Sequence, residues 1–289
     1  MNSTNDTSFQ LARLTRSDIQ GLIELSASVG WDYDQFEIET VMQVGTIFGH
    51  KNSEGTLVSS AAIIPYESKL ASIGMVIVSS QCRGLGLGRE VTEACIKATL
   101  EDTTLMLIAT DEGRPLYERL GFAAVERIHK HLCDDYKEPE SIPSMDVTIE
   151  ELRSNDFRQL VQLDEGAMGV RRSRFLKQRT TQANQSLVAK DKAGNVIGYG
   201  LSILGPIHLI IGPIVAPNHE IACLILDRLA CQHKGKLRMD VPSGHHTFLQ
   251  HLQRRGFTEV NTPPVMVKQS AYEPRRNGTL FAIAAQVFG

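Results

Sequence analysis

Ser79-Ser80-Gln81-Cys82-Arg83-Gly84-Leu85-Gly86-Leu87-Gly88-Arg89 decides how this chain is read. It follows a continuous apolar run, Ile73-Gly74-Met75-Val76-Ile77-Val78, and precedes a helical pattern over 86–100. Three alternating glycines let the backbone approach a ligand without Cβ obstruction. The helix that starts there directs its free amides and positive dipole end into the loop. An anion is expected in it, most naturally a pyrophosphate, with Arg83 and Arg89 adding charge. The spacing is GxGxG. It is not the GxxxxGK[ST] of a P-loop, since no Lys-Ser or Lys-Thr follows Gly88. Nor is it the GxGxxG of a first βα turn in a dinucleotide fold. The plain alternative is a tight strand-to-helix turn.

Outward from this loop, the chain repeats itself. Leu14-Thr15-Arg16-Ser17-Asp18-Ile19 is matched by Leu152-Arg153-Ser154-Asn155-Asp156-Phe157, and Ile73–Val78 by Ile211–Ala216. Glu118-Arg119-Leu120-Gly121-Phe122 is matched by Gln253-Arg254-Arg255-Gly256-Phe257. Each copy predicts a strand (10–14, 147–151), a helix opened by Asp18 or Asp156, and a hairpin turning at 52–55 or 191–195. In the first copy the apolar strand then carries the loop and its helix. A strand over 104–109, a helix over 114–120 stopped by Gly121, and a strand over 122–131 follow. The fold class expected is α/β, an α+β mixed sheet flanked by helices, twice in tandem. Residues 1–137 and 146–289 are expected to form the two domains. The acidic, proline-bearing stretch 138–145 is read as a linker between them.

Composition narrows the classes. The 289 residues are 42% apolar and 22% charged, with a formal net charge of −3 and no like-charge block. Nucleic acid and membrane partners gain no electrostatic support. Five scattered cysteines without a CxxC pair argue against a disulfide scaffold or structural zinc, so no metal is expected. The polar 1–9 stretch shows no signal pattern, and no apolar run spans a bilayer. A cytoplasmic protein is expected, with its oligomeric state open.

At Gln81, Gly84 and Gly86 the chain resembles the GNAT superfamily of N-acetyltransferases, whose signature is Gln/Arg-x-x-Gly-x-Gly/Ala. Leu116, Tyr117, Gly121 and Phe122 match a second family feature, Leu-Tyr-x-x-x-Gly-Phe. The resemblance implies acetyl-CoA as co-substrate. It implies that the backbone of Val76, Ile77 and Val78 pairs with the pantetheine arm. Arg83, Gly84, Leu85, Gly86, Leu87, Gly88 and Arg89 would hold the pyrophosphate. Thr110 stands where the family has a cofactor-contacting Asn. Tyr117 would serve the leaving thiolate, the alternative being a tyrosine packed on the sheet. At the matching place the second copy reads Ala216-Pro217-Asn218-His219-Glu220, without glycine, and Leu252 falls opposite Tyr117. That copy is expected not to bind CoA but to help shape an acceptor pocket.

For the acceptor, Asp32 could hold an ammonium and Trp31 could wall the pocket. Arg171, with Asp164 and Arg172 nearby, could bind a carboxylate. Glu67 could act as general base. Against these stand a packed tryptophan, an exposed basic loop and a solvated glutamate. The activity expected is transfer of acetyl to a small-molecule primary amine. A non-catalytic CoA-responsive regulator and a protein lysine or N-terminal acetyltransferase are the alternatives.

Overall fold

In a computed structural model, residues 9–67, 69–139, 146–268 and 275–289 are described. The expected linker falls mostly on 140–145, outside the described residues.

The first copy runs β1 (Gln10–Arg13), α1 (Ile19–Ala27), α2 (Gln35–Val44), β2 (Thr46–Lys51), β3 (Leu57–Pro65), β4 (Leu70–Val78), α3 (Leu87–Lys97), β5 (Thr104–Ile108), α4 (Arg114–Arg119) and β6 (Ala123–Cys133). The second runs β7 (Thr148–Glu151), α5 (Phe157–Met168), α6 (Ser173–Gln182), β8 (Gln185–Lys190), β9 (Val196–Leu204), β10 (Leu209–Val215), α7 (His219–Ala230), β11 (Leu237–Pro242), α8 (His246–Arg254), β12 (Thr258–Asn261), β13 (Pro264–Lys268) and β14 (Leu280–Ala282). The mixed α/β architecture and the tandem repeat are therefore as the sequence predicts.

The strands form one sheet in the order β1-β2-β3-β4-β5-β13-β6-β11-β10-β9-β8-β7, with β12 on β6 and β14 on β10. The copies exchange strands. β13 of the second copy lies between β5 and β6, pairing Val265 with Ile108 and Glu126. β6 of the first copy lies against β11, pairing Lys130 with Asp240.

Helices cover both faces. On one face a single apolar core spans the copies: Leu22, Ile38 and Val41 of α1 and α2 share it with Leu160, Phe175 and Leu176 of α5 and α6. On the other, α3 and α4 bury Val91, Cys95 and Tyr117 over the first half. Over the second half, α7 and α8 bury Ile225, Leu226, Phe248 and Leu252. Buried charge also joins the copies. Glu37 of α2 pairs with Arg179 of α6 at 2.5 Å, both nearly inaccessible to solvent.

β4 carries the irregularity that matters. Its register on β3 steps from Ala62↔Gly74 to Ser60↔Ile77, so one residue is extra on β4. Met75 sits in this bulge at φ 51, with its carbonyl held by the Ser60 hydroxyl at 2.8 Å. The parallel ladder to β5 ends at Ile73↔Leu107, so the strands part just before the bulge.

Candidate active site

The parted ends of β4 and β5 open into a cleft of about 510 Å³ lined by both copies. The first copy contributes Trp31, Asp32, Met75, Val76, Thr110 and Tyr117. The second contributes Ile203, Leu204, Arg238, Thr262 and the tail 285–287.

The glycine loop lies beyond β4 as a short 3-10 turn, Ser80–Cys82, and then α3. Gly84 and Gly86 hold φ of 80 and 85, in the left-handed region that only glycine enters without penalty. Gly86 is the N-cap of α3 and carries no side-chain cap. Among the described residues, no protein acceptor takes the amides of residues 83–88, since the first helical bonds are those of Arg89 and Glu90 to the Gly86 carbonyl. These open amides at a helix start suit a phosphate anion. Arg83 reaches Glu112 at 3.3 Å, and Arg89 reaches Glu93 at 2.8 Å, both pairs being largely exposed.

The second copy keeps the bulge and closes the slot. β10 steps from Ile211↔Ser202 to Ile214↔Gly200, the same extra residue at the repeated position. Its parallel ladder to β11 covers only Leu209 and Ile210. The gap beyond is filled by β14, which pairs Ile214 with Ala282 and Val215 with Leu280 and bonds β11 through Ile283 N to Asp240 O at 2.9 Å. At α7 the Asn218 side chain accepts from the Ile221 amide at 3.0 Å, capping the helix end that the first copy leaves open.

Tyr117 is buried at 6% exposure, edge-on to Phe122 with centroids 6.1 Å apart. Burial pushes its hydroxyl well above the ordinary phenol range, so it stays protonated. Gly113 makes room for the ring: a Cβ there would lie 3.0 Å from Tyr117 Cε2. The Thr110 hydroxyl lines the cleft and accepts from the Gly113 amide at 3.1 Å, which steadies the turn into α4.

Of the acceptor residues expected from sequence, Trp31 and Asp32 line the cleft, and Asp32 lies 3.8 Å from His208 Nδ1. Glu67 and Arg171 do not line it. They pair with each other at 3.3 Å, and Arg171 also meets Glu165 at 3.1 Å. Glu67 further accepts from the Ser173 hydroxyl at 2.5 Å and the Arg174 amide at 2.9 Å, and these partners lower its pKa against the opposing effect of burial. A carboxylate held this way outside the cleft fastens α6 to the β3–β4 turn, away from the place a general base would occupy. Arg172 and Asp164 are fully buried and bidentate at 2.8 and 2.9 Å, inside the shared core. The sequence reading missed Lys130, Arg238 and the tail 285–287. A strand lysine gives no hint of which strand it will face, and the apolar end Leu280–Ala285 was the one available signal for the tail.

Two GNAT acetyltransferase domain models match the chain, one over residues 34–131 and another over 160–282. It is 35% identical over 281 residues to an uncharacterized N-acetyltransferase, YitH, of Bacillus subtilis, covering 97% of this chain and 98% of that one. This chain belongs to the GNAT acetyltransferase family. As a tandem GNAT protein it superposes on a crystal structure assigned as an acetyltransferase from Pyrococcus horikoshii, with a TM-score of 0.81 at 19% identity over 100% of this chain and 99% of the other. A tandem GNAT protein from the clavulanic acid biosynthesis pathway superposes with a TM-score of 0.68 at 14% identity, over 92% and 100% of the two chains. At these identities the structural matches speak for the fold. Among the described residues, no cluster fit for a metal and no helix long and apolar enough to cross a membrane occurs in this tandem GNAT chain.

Proposed function

We propose that this protein is an N-acetyltransferase that moves acetyl from acetyl-CoA to a small-molecule primary amine by direct attack. The observation that carries the reading is the pairing of one open donor slot, at β4 and the glycine loop, with a cleft walled by both copies. When bound, acetyl-CoA supplies an activated thioester. The free edge of β4 at Val76–Val78 is suited to pair with the pantetheine arm, and the amides of 83–88 to hold the pyrophosphate. The β4 bulge frees main-chain groups beside the cleft, where an amide can stabilise the developing oxyanion. Asp32 is placed to receive the acceptor ammonium and pass its proton toward solvent. Tyr117, protonated and buried, donates a hydrogen bond to the departing sulfur.

The wall supplied by the second copy favours a small acceptor over a protein tail. Screening amine pools for CoA-thiol release tests the reading. Turnover of one amine supports it, whereas CoA binding with no turnover of any amine favours a regulatory protein.

A further inference from the structure

The wall of the cleft supplied by β6 and β11 carries an unbalanced charge. Arg238, Asp240 and Lys130 lie on neighbouring strands there, Lys130 directly opposite Asp240. Asp240 is fully engaged: Arg238 Nε and Nη2 each donate to its Oδ2 at 2.9 Å, and the Gln286 amide donates to Oδ1 at 2.9 Å. That leaves two cations to one carboxylate. Lys130, half-buried and lining the cleft, has no ion pair and no hydrogen bond to its ammonium among the described residues. Arg127 at the rim is tied to the Thr262 carbonyl at 2.9 Å. His208, which interacts with both Asp32 and Lys130, has its pKa lowered by burial, which favours the neutral ring. The other charged group coupled to Lys130 is Asp32, which His208 approaches at 3.8 Å. The cleft thus presents an uncommitted ammonium and an uncommitted carboxylate to the same ligand.

Burial and the neighbouring Arg238 lower the Lys130 pKa, so this ammonium gains more from an anionic partner than an exposed lysine does. We infer that the acceptor is an amine that also bears an anionic group, carboxylate or phosphate, which Lys130 binds while Asp32 holds the amine. This rests on the acetyl-transfer reading for what the cleft does, but not for how it is tested. Trp31 is the one tryptophan of the chain and lines the cleft, so its fluorescence reports occupancy without turnover.

The experiment titrates the full chain with matched pairs: α-amino acids against their carboxamides, and O-phosphoethanolamine against ethanolamine. The two sets tell carboxylate from phosphate. The expected result is that at least one anionic member binds about tenfold to a hundredfold tighter than its neutral partner, the range for a charge-assisted hydrogen bond. Lys130→Met should abolish that preference, and Lys130→Arg should retain most of it. Equal affinities throughout every pair overturn the inference, as does a preference that survives in Lys130→Met. A Lys130→Arg variant that loses the preference as fully as Lys130→Met also overturns it, because a second cation at this position should still hold the anion. If no amine is acetylated yet the anionic preference holds and needs Lys130, the transfer reading fails while the assignment of the cleft to an amine bearing an anionic group stands.

Discussion

Tyr117 shows how burial sharpens a role. A thiolate of ordinary basicity cannot easily take a proton from a phenol whose pKa is raised, so in the proposed transfer the tyrosine would stabilise the leaving sulfur by hydrogen bonding without full transfer. A hydrogen bond to a charged group contributes roughly 1.5–3 kcal/mol, which is about a tenfold to hundredfold change in rate. Tyr117→Phe is expected to lower kcat by that factor in steady-state assays while leaving CoA affinity unchanged; an unaltered kcat removes the role. The raised pKa also has a sign. The protonated form is the active one, so this group causes no loss of rate as pH rises to the ordinary tyrosine value of 10.0. At this scale the motifs led to Gly84 and Gly86, which the fold sets in the left-handed turn before α3, and to Tyr117, which lines the cleft. The sequence could not show that Glu67 and Arg171, each read alone as a site residue, pair with each other away from the cleft.

At the scale of elements, strand positions and helix starts could be read closely from apolar runs and glycines. Their partners could not. The sequence pattern predicts β6 as a strand, yet nothing in it says that β6 pairs with β11 of the second copy, or that a strand over 264–268 enters between β5 and β6. The exchange has a consequence for any attempt to divide the chain at its acidic stretch. Alone, residues 1–139 lack the strand that separates β5 from β6, and residues 146–289 lack the strand on which β11 and β12 pair. Each would also expose its side of the shared core, including Arg179 without Glu37, and an unpaired buried charge costs several kcal/mol. The two fragments are expected to show no cooperative thermal transition apart and to form a one-to-one complex when co-expressed, as circular dichroism and gel filtration can show. Separate fragments that fold as stable monomers would contradict this.

At the scale of the whole molecule, a duplicated fold is used twice for different ends. Both copies keep the bulge and the parted strands that, in the first copy, make the proposed donor slot. In the first the slot stays open beneath uncapped amides. In the second the chain fills it with β14 and caps the helix with Asn218. The lost glycines of the second copy were visible in its sequence; the strand that takes the vacated space was not, because it comes from a distant segment with no motif. That same segment continues past β14 into the cleft between the copies. Val287 packs against Gly74 of β4, and the Val287 carbonyl accepts from the Ser72 hydroxyl at 2.9 Å. Closing one site therefore helps to build the other.

The most direct measurement is a calorimetric titration of the full chain with CoA. One site per chain is predicted, since β14 occupies the second slot; two sites per chain would contradict the account.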